Sequence, residues 1–302
     1  MRGKTGLLLG GLCVICLMAF HVQGVCAEDL TPEQLIDKHL EAFGLKSGST
    51  QIKSIQFVGN TDVEFLQGMA GKMSGIAALT SQGSKIFLNM KFDDVNYPGE
   101  YFAYDGKSVS VNNIQPGVRT PLADFIFAYN KVMKNGMFGG VFSNAWPLLN
   151  IKTSKPSYMN VRKTKVEGKE LYELEYRPRD RHGDMKIRIF FETDTYRHVR
   201  TEYKVSLDND ASTGTYGNPE DDYERDIPAI SGMVTGSTYY TLVEKFGDFK
   251  EVGALTMPHS YSLNYDLDGI ARHAFIGRWK IDIMMIGFNA ENIEPALFKA
   301  KN

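Results

Sequence analysis

The side chains best able to do chemistry are few in this sequence, and their spacing assembles none of the familiar sites. Five of the six histidines lie beyond the first 27 residues: His39, His182, His198, His259 and His273. No two have the spacing that sets a pair of imidazoles on one helix face for zinc, and no glutamate accompanies them in such a motif. His259 and His273 fall on neighbouring predicted strands, where partly buried strand histidines are a simpler reading than a metal pair. A serine nucleophile on a tight Gly-x-Ser-x-Gly turn is absent. Gly106-Lys107-Ser108 has the ending of a phosphate loop, but it lacks the earlier glycine and sits in a hairpin instead of before a helix. Asp221, Asp222, Glu224 and Asp226 form an acidic run without the ordered ligand spacing of a calcium loop, and Arg225 interrupts it. No catalytic residue, cofactor or metal is expected, so the chain reads as a binder and not an enzyme.

The three cysteines, Cys13, Cys16 and Cys26, all lie within the first 27 residues. That segment opens with Arg2 and Lys4 and continues as an apolar run from Leu7 to Phe20. It then places Val25 and Ala27 three and one residues ahead of a cut before Glu28. This is the layout of a cleaved secretory signal, and the run is too short and wrongly flanked for a membrane span. A rival reading has Cys26 acylated as in a lipoprotein signal, but Gln23, Gly24 and Val25 fit that pattern poorly. The expectation is an exported, soluble product, with residues 1–27 a signal peptide and 28–302 a single domain. Past the cut no cysteine remains, which excludes disulfides, thiolate catalysis and cysteine metal sites. The chain carries 36 acidic and 34 basic residues, and Arg2 and Lys4 leave with the signal. Without a basic block or a basic-aromatic stripe, nucleic acid is not a partner.

One segment holds more apolar surface than a surface loop can justify. Residues 121–149 open at Pro121 and carry Leu122, Phe125, Ile126, Phe127, Val132, Met133, Met137, Phe138, Val141, Phe142 and Trp146, interrupted by Gly139-Gly140. The pattern predicts a helix, a glycine-hinged loop and a short second helix. Methionines beside glycines and aromatics suit a cover that repacks around apolar shapes. The alternative reading is ordinary core.

The elements that must position this segment are mostly strands. Ile86, Leu88, Met90 and Phe92 alternate with Phe87, Asn89 and Lys91. The same period of two recurs over 172–176, 187–191, 199–205, 257–265 and 275–283, which marks strands with one buried face. Asp105-Gly106, Asp268-Gly269, Gly83 and Gly168 supply turn chemistry between them. No helix long enough for a parallel crossover intervenes, so an antiparallel meander follows. Ahead of it, Thr31, Pro32 and Gln34 form the start of a helix whose apolar stripe is Leu35, Ile36, Leu40 and Phe43, stopped by Gly44. Residues 208–236 are polar and read as a surface loop insertion, and a helical turn is expected over 290–298. A strongly curved antiparallel sheet has a concave apolar face that a few short helices only partly fill, leaving volume for a ligand under the 121–149 lid.

These stretches resemble a family. The opening helix, Thr31-Pro32-Glu33-Gln34-Leu35-Ile36-Asp37-Lys38-His39-Leu40 ending at Phe43-Gly44, looks like that of LolA-like outer-membrane lipoprotein-sorting proteins. Tyr101-Phe102-Ala103-Tyr104-Asp105-Gly106-Lys107 is similar to the family's strand-turn-strand. Phe246-Gly247-Asp248-Phe249, followed by Leu255-Thr256-Met257-Pro258-His259, is similar to its late strand pair. The resemblance implies a mainly β fold: an open, strongly curved antiparallel β-barrel with an N-terminal helix and a helical lid over an apolar cavity. It further implies periplasmic carriage of a lipid or lipoprotein acyl chain to the outer membrane, with a membrane-bound donor or acceptor protein as a second partner. The basic residues between Ser84 and Phe92 are Lys85 and Lys91, with no clear counterpart of the family's early arginine, so the resemblance supports apolar binding more than a specific lipoprotein hand-over. The expected wall and lid residues are Leu88, Met90, Phe92, Phe125, Phe138, Phe142, Trp146 and Trp279. An envelope-stress or regulatory lipoprotein sensor on the same scaffold is the alternative, and an enzyme acting on lipid or glycan the third reading.

Overall fold

The computed structural model describes residues 30–45, 52–69, 71–180, 183, 185–209, 236–269 and 274–299. The expected signal segment, nearly all of the 208–236 loop with its acidic run, and His182 and His273 lie outside the described residues.

Helix α1 (Pro32–Phe43) begins where its caps place it. Thr31 Oγ1 accepts the Gln34 N–H at 3.2 Å, and Gln34 Oε1 accepts the Thr31 N–H at 2.8 Å. The two bonds satisfy amides that the first turn leaves open. Its buried stripe is Leu35, Ile36, His39 and Phe43. His39 thus takes the inward position expected of Leu40, which is only partly buried. Residues 35, 39 and 43 stand on one line at a spacing of four. The imidazole is tolerated there because its Nδ1 lies 2.9 Å from the Tyr196 carbonyl.

Five strands follow: β1 (Ser54–Gln67), β2 (Gly71–Gln82), β3 (Lys85–Phe92), β4 (Gly99–Tyr104) and β5 (Val109–Val111). A helical segment comes next, with α2 (Pro121–Ala128), α3 (Lys131–Lys134), single 3-10 turns at Gly140–Phe142 and Pro147–Asn150, and α4 (Ile151–Ser154). The chain then resumes as β6 (Tyr158–Val166), β7 (Lys169–Arg177), β8 (Lys186–Glu192), β9 (His198–Asn209), β10 (Gly236–Val252), β11 (Leu255–Gly269) and β12 (Phe275–Phe288). All twelve strands join one antiparallel sheet in the order β5-β4-β3-β2-β1-β12-β11-β10-β9-β8-β7-β6. The first and last strands meet along a long seam, with Val63 opposite Trp279. Gly83, Gly106 and Gly168 stand in turns, as their setting in the sequence predicts. The closing helical stretch is a 3-10 turn at Pro295–Phe298, whose Phe298 is buried on the outer face against Phe87 and Ala103.

The sheet is curled and open. From β4 to β9 there are seven strand-to-strand steps, about 34 Å if the sheet were flat. Yet Phe102 of β4 has its ring centroid 5.9 Å from that of Phe138, and Tyr203 Oη of β9 lies 3.0 Å from the carbonyl of Met137. Both walls therefore close on adjacent residues of the helical segment. Gly139 and Gly140 are the point of closest approach. A Cβ on Gly139 would stand 3.2 Å from Ile86 of β3, and one on Gly140 only 2.8 Å from His198 of β9 and Phe246 of β10. Both glycines have positive φ, 82° and 49°, a conformation that side chains other than glycine's resist. Gly140→Ala combines backbone strain with overpacking and is expected to cost about 3 kcal/mol in urea unfolding. Gly83→Ala, at φ 56° with nothing within 4 Å of the added carbon, should cost about 1 kcal/mol.

Candidate functional site

Alternation along each strand decides what faces the trough. On β3 the inward set is Ile86, Leu88, Met90 and Phe92; on β12 it is Phe275, Trp279, Ile281 and Ile283, with Phe57, Val63 and Phe65 between them on β1. The segment 121–149 lies across this face. Leu122, Phe125 and Ile126 are buried from α2, Val132 and Met133 from α3, and Met137, Phe138, Val141, Phe142, Trp146 and Leu148 from the stretch beyond. The second helix expected here is reduced to a 3-10 turn at Pro147–Asn150 and the single turn of α4, because Pro147 removes an amide donor where a longer helix would need one.

Leu88, Met90, Phe92, Phe125, Phe138, Phe142, Trp146 and Trp279 all belong to one buried apolar cluster, each at most 3% exposed. Within it the rings pack at three places. Trp279 packs edge-on to Phe65 near Tyr97 and Phe92, at the β3–β12 side. Phe142 packs on Phe57, Tyr261 and Phe246, and Trp146 stacks on His198 with centroids 4.9 Å apart. Phe125 bridges to Tyr240 and Tyr265. In this arrangement the rings of the cover fill the trough beside them.

Polar groups fasten the cover, and sequence reading singled out none of them. Glu100 on β4 is fully buried; it accepts from Thr120 Oγ1 and from Tyr97 Oη, both at 3.0 Å. Thr120 caps α2 by accepting the Ala123 N–H, and Tyr97 accepts the Trp279 indole N–H at 2.7 Å. One chain of bonds thus runs from β12 to the start of the cover. Glu244 on β10 does the same at the hinge. Its Oε1 accepts the Gly139 N–H at 2.8 Å and a bond from Tyr261 Oη, while Oε2 lies 2.7 Å from Tyr203 Oη. Asn144 completes the fastening, with its amide N–H donating to Ser81 and its side chain donating to the Ile52 carbonyl. Burial pushes the carboxyl of Glu100 up to about 8 and that of Glu244 up to about 7. The available signal was parity: Glu244 falls between Leu242 and Phe246 on the inward register of β10, where an acid needs partners.

A third polar group sits where α1 meets the cover. The His39, Trp146 and His198 rings lie within 4.9 to 6.3 Å of one another. Burial holds His39 down at about 4, and burial with the neighbouring His39 holds His198 well below its ordinary value, so both imidazoles are neutral. His198 Nε2 lies 2.8 Å from Thr201 Oγ1. His259 stands on β11 with Nδ1 3.2 Å from the Met257 carbonyl. Among the described residues no three histidine, aspartate or glutamate side chains gather as metal ligands, and no helix is long and apolar enough to cross a membrane.

No family model matches the sequence, and no well-characterised protein matches it at the level of sequence. Among solved structures the chain is similar to a LolA superfamily protein from Nitrosomonas europaea, at 12% identity over 90% of this chain and 98% of that one, with a TM-score of 0.40. It is also similar to MucB in its complex with MucA, at 12% identity over 85% of this chain and 98% of that one, with a TM-score of 0.19. Likenesses this distant leave function to be argued from the chain's own side chains.

Proposed function

We propose that the exported chain carries an apolar ligand, an acyl chain of a lipid or lipoprotein, in the trough of the curled sheet. The observation that supports this reading is the way the trough is covered. A continuous apolar face, from β3 through β1 to β12 and on to β10, meets a segment with two glycines of positive φ at its centre and buried rings on either side. An acyl chain that replaces the rings of Phe138, Phe142 and Trp146 on the sheet finds Leu88, Met90, Phe92 and Trp279 along its length. Each methylene moved from water to that face contributes about 0.8 kcal/mol, so a long chain competes with a few aromatic side chains. Export rests on the signal-like first 27 residues, and periplasmic residence on the resemblance of the opening helix and strand motifs. Nothing in the reading asks for a reacting group, and the buried carboxyls fasten the cover, Glu244 at the Gly139 amide and Glu100 through Thr120.

The two tryptophans are the only ones in the chain, and both stand in the proposed site, which makes the test direct. Native mass spectrometry after gentle extraction is expected to show acyl-lipid adducts. A lysophosphatidylcholine carrying bromine on its acyl chain, added below its micelle concentration, should quench the tryptophan emission, and Trp146→Phe should remove roughly half of that quenching. Protein that is consistently free of lipid and insensitive to the brominated probe would sink the carrier reading.

A further inference from the structure

The Glu244 site holds more than a buried acid with good partners, because its protons can be counted. Gly139 N–H and Tyr261 O–H both donate to Oε1. Tyr203 Oη lies within bonding distance of both Oε2 and the Met137 carbonyl, at 2.7 and 3.0 Å, yet a phenol has one proton. A neutral carboxyl resolves this: its own O–H donates to Tyr203, and Tyr203 donates to Met137. An ionised carboxylate claims the Tyr203 proton, leaving the Met137 carbonyl with only a 3.3 Å bond from the Gly140 N–H. It also leaves a full charge in a site closed to solvent on every side.

We propose that the Glu244 carboxyl is a proton-operated latch that holds the Met137–Gly140 hinge on the sheet when neutral and lets the hinge lift when it ionises. Admission of a ligand to the trough through that hinge rests on the carrier reading; the latch itself does not.

The groups facing Glu244 leave it as the one that switches near neutrality. Tyr203 of β9 and Tyr261 of β11 are both raised well above their ordinary range by burial and by the carboxyl beside them. The hinge contributes amides and carbonyls only. His198 and His39, behind Gly140 and Phe246, are held neutral by burial. Arg200 and Glu202 on β9 and Lys245 on β10 stand on alternate positions and face outward, where they pair with one another or with Glu167. A lifted hinge gives Glu244 back its ordinary value of 4.5, against about 7 when latched. Below the lower value both states keep the proton and pH has no effect. Between the two values lifting releases a proton and becomes easier as pH rises, and above the upper value the effect levels off. The whole window is worth on the order of a hundredfold in the opening constant.

Hydrogen exchange reads this without any ligand. The amides of Gly139, Gly140 and Phe142, all bonded in the closed hinge, should lose on the order of a hundredfold in protection from about pH 4.5 to about pH 7.5, after correction for intrinsic exchange. Glu244→Gln, neutral and of the same shape, should flatten that dependence at high protection, while Glu100→Gln should leave the fall in place. Protection that is flat in the native chain, or that falls equally in Glu244→Gln, overturns the latch. Should the glutamine variant not fold, the 13C shift of the Glu244 carboxyl in the native chain must titrate at the pH where the fall in protection levels off, and a carboxyl that titrates elsewhere overturns it as well. The brominated lysophosphatidylcholine separates the two ideas. A pH-gated hinge with no quenching at either pH supports the latch and defeats the carrier, whereas quenching with pH-independent protection does the reverse.

Discussion

Everything in this molecule turns on how an irregular main chain can lie inside an apolar trough. A buried peptide group without a partner costs more than a lost contact, because its hydration is gone and nothing replaces it. The helical pieces of the cover satisfy their own amides, and so does most of the Met137–Gly140 hinge between them; the exception is the Gly139 N–H, which Glu244 accepts. Glu244 and Tyr203 supply partners to the hinge main chain, and Thr120, held in place by Glu100 and Tyr97, caps α2. Their price is desolvation, visible as acids held toward neutrality. The cover therefore adheres through many apolar contacts but is registered by a handful of polar ones.

That register explains how the sequence could be read so far and no further. Strand identity was legible because each inward face repeats every second residue, and α1 was legible because Thr31, Gln34 and Gly44 carry its capping chemistry in order. Membership of the apolar cluster was legible for the eight expected wall and lid residues, since large apolar side chains have few alternatives to burial. Inward polar residues broke the pattern. His39 displaces Leu40 because a carbonyl from the β8–β9 turn stands opposite it, and no local signal announces a partner 157 positions away. Parity sets Glu244 inward, but its partners are hidden for the same reason: Gly139, Tyr203 and Tyr261 meet it only through the fold. The bulge that brings Met284 and Met285 both to the outer surface of β12 is likewise set by pairing to β1, not by a turn residue in β12 itself.

The position of the cover is a consequence of topology and needs no special contact to explain it. Because β1 pairs with β12, the two ends of the meander become the middle of the sheet, and its free edges are β5 and β6. These are consecutive in the chain, so the connection between them is the one segment obliged to pass from edge to edge across the open side. Any apolar residues it carries are brought over the concave face by the strands that flank it. For the same reason the segment can lift without breaking a strand pair, since no ladder passes through it. A sheet closed into a full barrel would have removed both edges and with them this freedom. The open curl leaves the cover attached through side chains and not through a strand ladder, and the buried acid at its hinge is where a single proton alters that attachment.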